Sequence, residues 1–289
     1  YVELSRGPEA EEELKRAREF GIRPEAIKVA LGNALLLQRN YRRVLDEIKP
    51  GSESSQPKMA RILEIQARAQ LGLAKRKEGC ALFDESLKKD ANHIPAHWGL
   101  ALCDVYSQKP DDARARLEQA LKIDAKNTRT WTHLGDLERG ADRLEAAARA
   151  YSSALQHRPE HVDAILGRAA VRLQEKNWKE AEKDIDQALL LAKGYPRAIY
   201  LRGALAYGQG KYPEAKTLFE TALNANPNLS PALLWLGFAE YALQNFETSA
   251  THLSQFLTRH PNATRVHALL ALVRARSGGT PPVSATAPA

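Results

Sequence analysis

Apolar positions along this chain follow a helical spacing, and that spacing is itself repeated at a longer period. Residues 128–161 read TRTWTHLGDLERGADRLEAAARAYSSALQHRPEH. Trp131, Leu134 and Gly135 fall on one helical face, and Ala147, Tyr151 and Ala154 fall on a second, with Pro159 closing the stretch. The small residues let two helices cross closely, the large ones fill the space beside them, and proline cannot continue a helix. The stretch predicts a pair of antiparallel helices.

The same pattern returns every 34 residues. Stepping from Trp131 reaches Ile165, Ile199, Leu233 and His267 downstream, and His97 and Leu63 upstream. The Gly135 slot holds Ala67, Ala101, Ala169, Gly203, Gly237 and Ala271 in the other copies. The Ala147 slot holds Gly79, Ala113, Ala181, Ala215 and Ser249, and the Tyr151 slot holds Phe83, Leu117, Ile185, Phe219 and Leu253. Small stays small and large stays large. One helix pair cannot bury its apolar face alone, so the copies must stack on one another.

The ends are less regular. Ala10, Leu14 and Ala17 fall in the Ala147, Tyr151 and Ala154 slots, so residues 9–20 read as a second helix whose partner is mostly missing. A longer native chain toward the N-terminus is expected from that. Pro24 opens the next helix, with Leu31 and Gly32 in the Leu-Gly slots. Its second helix, around Tyr41 to Ile48, is cut short by Lys49, Pro50 and Gly51. PGSESSQP, Pro50 to Pro57, reads as a solvated loop, and this irregular repeat spans 35 residues from the Glu25 slot to Ala60. Residues 264–276 supply one more first helix, apolar at Val266, Leu269, Leu270 and Val273, which could cap the stack. The expected organisation is a solenoid over residues 1–277, about seven to eight repeats with the first and last incomplete, followed by a disordered Gly/Pro/Ala tail over 278–289.

The W-x2-L-G, A-x3-[FY], A and P spacing around Trp131 is identified as the tetratricopeptide signature. The resemblance implies an all-α fold, a right-handed superhelix (α-solenoid) of antiparallel helix pairs with no strands. The phrases ALLLQRNYRRVLDEIKP, ILGRAAVRLQEKNWKEAEKDID, AIYLRGALAYGQGKYPEAK and ALLWLGFAEYALQNFETSATHLSQFLTRHP resemble a bacterial subfamily more closely. That subfamily is the tetratricopeptide lipoprotein accompanying exosortase and the PEP-CTERM sorting system in exopolysaccharide gene clusters. It implies a bacterial periplasmic protein, outer-membrane anchored through a lipid on a cysteine ahead of this chain. A cytoplasmic location is the alternative.

A net charge of +7 is modest for 289 residues, and the cations are scattered over helix faces. That pattern disfavours nucleic acid, which calls for a basic stripe. No window approaches the ~18 apolar residues of a membrane span, so contact with a membrane is expected only through a lipid anchor outside the chain. Two cysteines, Cys80 and Cys103, are too few for a disulfide framework, and each reads as a small buried side chain on a helix, with pairing left open.

Catalytic constellations are missing. No G-x-S-x-G, Gly-rich phosphate loop or H-E-x-x-H occurs, and nothing calls for a cofactor. His93 and His97, and His157 and His161, are four apart but straddle repeat junctions, so neither pair reads as a metal site. The expectation is a non-catalytic scaffold. Its rivals are a cytosolic peptide-binding adaptor and the regulatory arm of an enzyme whose catalytic domain lies elsewhere.

In proteins with this repeat the first helices line the concave surface, and the slots their core does not need identify the groove. Those slots hold Arg61, Arg68, Trp98, Arg129, Arg139, Arg197, Tyr200, Tyr207, Phe238 and Tyr241. Aromatic faces with arginine forks suit a protein or extended peptide, and also an anionic polysaccharide. The competing reading is that the tyrosines and phenylalanine pack between repeats. A chaperone-tail clamp of Lys and Asn is incomplete, because Asn33 is followed in its slot by Arg68 and Leu102.

Overall fold

A computed structural model describes residues 7–51 and 55–278. It is all-helical: sixteen helices and no strand occur among the described residues. They fall into two compact units, residues 1–142 and 143–289. The N-terminal unit contains α1 (Gly7–Glu19), α2 (Pro24–Leu37), α3 (Tyr41–Glu47), α4 (Gln56–Gly72), α5 (Arg76–Lys89), α6 (Ile94–Tyr106), α7 (Pro110–Ile123) and α8 (Thr128–Gly140). The C-terminal unit contains α9 (Leu144–His157), α10 (Val162–Gln174), α11 (Trp178–Leu191), α12 (Pro196–Gly208), α13 (Tyr212–Ala225), α14 (Ser230–Ala242), α15 (Phe246–Arg259) and α16 (Thr264–Arg276). Within each unit every helix packs on its sequence neighbours, the arrangement of an α-solenoid.

The helix ends explain why the period holds. First helices close on one left-handed residue, at Ala74 (φ 61°), Gln108 (59°), Lys176 (58°), Gly210 (77°) and Gln244 (64°). At α4 the Ala74 N–H donates to the Leu71 carbonyl and the Lys75 N–H to the Gln70 carbonyl, each at 2.9 Å. This is the Schellman closure, and it reverses the chain into the second helix. Second helices end on extended residues such as Asp90, Asp124 and Asn226. The turn that follows is tied back by the Trp131 slot. Trp131 Nε1 donates to the Ala125 carbonyl (2.9 Å), and the Nε2 atoms of His97 and His267 reach the carbonyls of Ala91 (3.0 Å) and Pro261 (2.8 Å). A ring N–H in this slot meets a carbonyl six residues earlier that no helix would satisfy.

The small and large slots form the core. Ala113, Ala147, Ala181, Ala215 and Ser249 are fully buried, as are Tyr151, Ile185, Phe219 and Leu253. The close approach is visible at Gly167, where an added Cβ would come within 2.2 Å of the Tyr151 ring. Buried charges sit among these layers with partners. Asp184 on α11 takes Arg168 (2.7 Å) and Arg172 (2.6 Å) from α10, and Glu240 on α14 takes Lys216 from α13 (2.9 Å).

Three details refine the sequence reading. α4 begins at Gln56, so Pro57 belongs to a helix rather than to the loop expected over Pro50 to Pro57. Extended Ser55 precedes it, and proline is well suited to the first turn. Ser52, Glu53 and Ser54 of that loop lie outside the described residues, as does the tail expected beyond Gly278. The two cysteines are not independent small side chains. Cys80 on α5 and Cys103 on α6 form a disulfide with their Cα atoms 6.0 Å apart. At the N-terminal edge, buried Glu11 fastens α1 through Gln38 (2.8 Å) and Arg43 (3.0 Å), and also pairs with Lys15 of its own helix (3.0 Å). The Gln38 amide, ahead of the two cations, holds its carboxyl down at about 2.

Candidate functional site

The ten groove positions expected from the repeat all lie on first helices: α4, α6, α8, α12 and α14. The structure divides them by unit. In the N-terminal unit Arg61 and Arg129 are exposed. Arg68 is exposed too, and its guanidinium pairs with Glu64 and reaches Asn33 Oδ1, both at 3.4 Å. Burial pushes the Glu64 carboxyl up, and the Arg68 charge opposes it. Arg139 is half-buried and lies 3.9 Å from Asp136. Trp98 is half-buried, with its indole N–H donating to Thr130 Oγ1 (2.9 Å) and its ring 5.1 Å from that of His133.

In the C-terminal unit Tyr200, Tyr207, Phe238 and Tyr241 are half-buried. Each of their rings packs against an aromatic ring from elsewhere in the repeats. Tyr207 meets Tyr212 at 5.2 Å and Trp235 at 5.1 Å, both edge-on, and Trp235 meets Phe238 at 5.5 Å. Tyr200 lies 6.0 Å from Phe219, and Tyr241 lies 5.7 Å from Phe246 with Arg276 over its ring at 5.3 Å. Burial, then neighbouring Tyr212, pushes the Tyr207 hydroxyl up. Arg197 pairs with Asp163 at 3.4 Å. Each ring thus gives part of its surface to inter-helix packing and keeps part accessible.

The histidines act locally. His161 caps α10, accepting from the Ala164 N–H at Nδ1 (3.2 Å), while His157 closes α9. Burial lowers the basicity of His93.

One feature escaped the sequence reading. Between α6, α7 and α8 lies an apolar cavity of about 580 Å³, walled by Trp98, Leu102, Val105, Pro110, Leu137 and Gly140. Leu102 and Val105 are among the most exposed aliphatic side chains, at 41% and 44%. They occupy groove slots on α6 five and eight residues after His97, and an aliphatic pair at two exposed slots was the available signal.

A family model described as tetratricopeptide repeat matches residues 138–205 and again 206–273. These are tetratricopeptide repeats. Each match spans 68 residues, twice the 34-residue period, and the second covers α13 to α15 and most of α16. Two proteins containing related sequence are the CTR9 homolog of Arabidopsis thaliana, 28% identical over 123 residues, and the STIP1 homolog of Dictyostelium discoideum, 26% identical over 153. The alignments cover 42% and 50% of this chain but only 11% and 26% of those proteins, so it spans a minor part of either. Among solved structures, the crystal structure of the APC/C hetero-tetramer Cut9-Hcn1 matches with a TM-score of 0.74 at 15% identity, over 93% of this chain and 53% of that one. That likeness concerns the fold alone.

Proposed function

We propose that this tetratricopeptide array is a non-catalytic scaffold that holds a protein partner, as an extended segment, along the first helices. The observation that carries the reading is the accessible apolar surface of α6, where Trp98, Leu102 and Val105 stand together on a rigid helix. Exposed apolar clusters of that kind mark contact surfaces. Arg61 on α4 and Arg129 and Arg139 on α8 are spaced singly along first helices of the same unit and steer rather than carry the contact. The aromatic set of α12 and α14 extends the same role in the C-terminal unit, using the accessible parts of its rings.

We place this scaffold in the bacterial envelope, facing the periplasm, as part of an exopolysaccharide export or protein-sorting system. The Cys80–Cys103 bond supports an oxidising compartment, since disulfides persist outside the cytosol. The subfamily phrases support the export setting, with lipid anchorage upstream of Tyr1.

The test is a selection of displayed random peptides on the oxidised chain, followed by a salt titration of those retained. Retention through apolar contact should change little between low and high salt. A ligand held by the arginines, as an anionic polysaccharide would be, should weaken steeply. Recovery of no peptide, with salt-sensitive retention of an acidic polysaccharide, would overturn the protein-partner reading.

A further inference from the structure

Junctions between repeats are filled knob-into-socket where their contacts are seen, and one junction has no knob in its sequence. At three junctions the first residue of a second helix faces a residue near the end of the next first helix. Tyr41 covers Gly72, where an added Cβ would lie 2.4 Å from the ring, and Trp178 covers Gly208, where it would lie 2.7 Å away. At Arg76 and Tyr106 the large ring is on the other member, with the guanidinium 4.5 Å from its centroid. The remaining junctions of the series also place at least one long side chain in the pair, save one. Pro110 and Gly140 are both compact, and an added Cβ at Gly140 would meet nothing within 4 Å. The cavity of about 580 Å³ lies at that junction. It is a socket whose knob the chain does not encode, within the ~300–1,000 Å³ range of pockets that bind small ligands.

We infer that this socket receives an aromatic side chain from the bound partner segment, which supplies from outside the ring that Trp178 supplies internally at the equivalent junction. The inference rests on the protein-binding reading above and adds the chemistry of its anchor. Charge complementarity selects a neutral ring. Asp136 is the one carboxylate lining the cavity, and Arg139 lies 3.9 Å from it. The Trp98 N–H, already given to Thr130, asks for no polar partner. Aliphatic walls and the Trp98 ring suit edge-on or offset aromatic packing.

The experiment uses 5-fluoroindole, followed by fluorine NMR on the full oxidised chain, with N-acetyl-leucinamide as a competing aliphatic probe. Two variants close the socket differently. Pro110→Trp supplies the missing knob, and Leu102→Glu places a charge on an exposed wall position that the core does not use. Saturable indole binding that weakens about tenfold or more in both variants supports the socket. Binding that is unchanged in both, absent in the parent, or displaced equally well by the leucine probe overturns it. The peptide selection separates the two readings. Retained peptides sharing one aromatic position, lost on Leu102→Glu, support the inference. Retained peptides with no such position leave the scaffold standing and overturn the socket. Indole bound with no peptide retained overturns the protein-binding reading and the peptide as occupant together.

Discussion

In the C-terminal unit Tyr207 touches both Tyr212 and Trp235, and Trp235 continues to Phe238, so rings from three helices interlock. At the corresponding place in the N-terminal unit, Val105, Pro110, His133 and Asp136 occupy the slots of Tyr207, Tyr212, Trp235 and Phe238, and a cavity takes up the difference. The N-terminal unit has instead a covalent link between α5 and α6, one helix pair away. The same repeat is therefore closed by side-chain volume in one unit. In the other it is left open beside a disulfide. The lesson is that repeat stability is partitioned between slots fixed by the motif and junction slots free to vary. Function can use the second kind without disturbing the first.

Four perturbations test that contrast, from the largest effect down. Tyr151→Ala should destabilise the C-terminal unit by about 3–5 kcal/mol, because a fully buried ring against Gly167 leaves a void that packed helices cannot close. Its repeat equivalent Leu117 lines the cavity and has space beside it, so Leu117→Ala should fall near ~2–3 kcal/mol. Chemical denaturation reports both, and equal losses would dissolve the distinction between a filled and an open junction. Reducing the Cys80–Cys103 bond should lower stability by about 3 kcal/mol, as loop closure over this separation predicts. Hydrogen exchange should place the loss in α5 and α6, and a loss spread evenly through α9 to α16 would contradict the assignment. The smallest effect is a gain. Lys176 adopts φ 58° at the end of α10, where Gly210 sits one repeat later, so Lys176→Gly should stabilise by up to ~1 kcal/mol. A lower melting temperature in that variant would show that the lysine side chain contributes more than its backbone geometry costs.

The repeat was legible because the slots of Gly135, Ala147 and Tyr151 obey a volume rule that needs no partner information, and their burial follows it. The helix bounds at Pro24, Thr264 and Arg276 were equally readable from proline placement and apolar spacing. The start of α4 was missed because serine- and proline-rich sequence reads alike as loop or as helix N-terminus. The disulfide was not readable, since helical spacing places Cys80 and Cys103 on two helices without fixing how those helices turn toward each other. For the groove, the slots located Trp98, Tyr207 and Tyr241 on first helices. They could not say how much of each ring its neighbours would cover, because that depends on Tyr212, Trp235 and Phe246 from other positions. The cavity was hidden for the opposite reason. It is made by what Pro110 and Gly140 lack, and an absence is visible only against the filled junctions at Gly72 and Gly208.

The bond between α5 and α6 also sets how the array would answer a mechanical load. A stack of helix pairs pulled along its length yields by peeling, each released residue adding its extended length to the tether. The crosslink removes the 23-residue span between Cys80 and Cys103 from that reserve, roughly 80 Å of chain that tension cannot pay out while the bond is intact. Under load, the second helix of one repeat and the first helix of the next remain tethered as a short-linked block. The socket wall on α6 belongs to that block, so the surface proposed to hold a partner is anchored on the least extensible part of the chain.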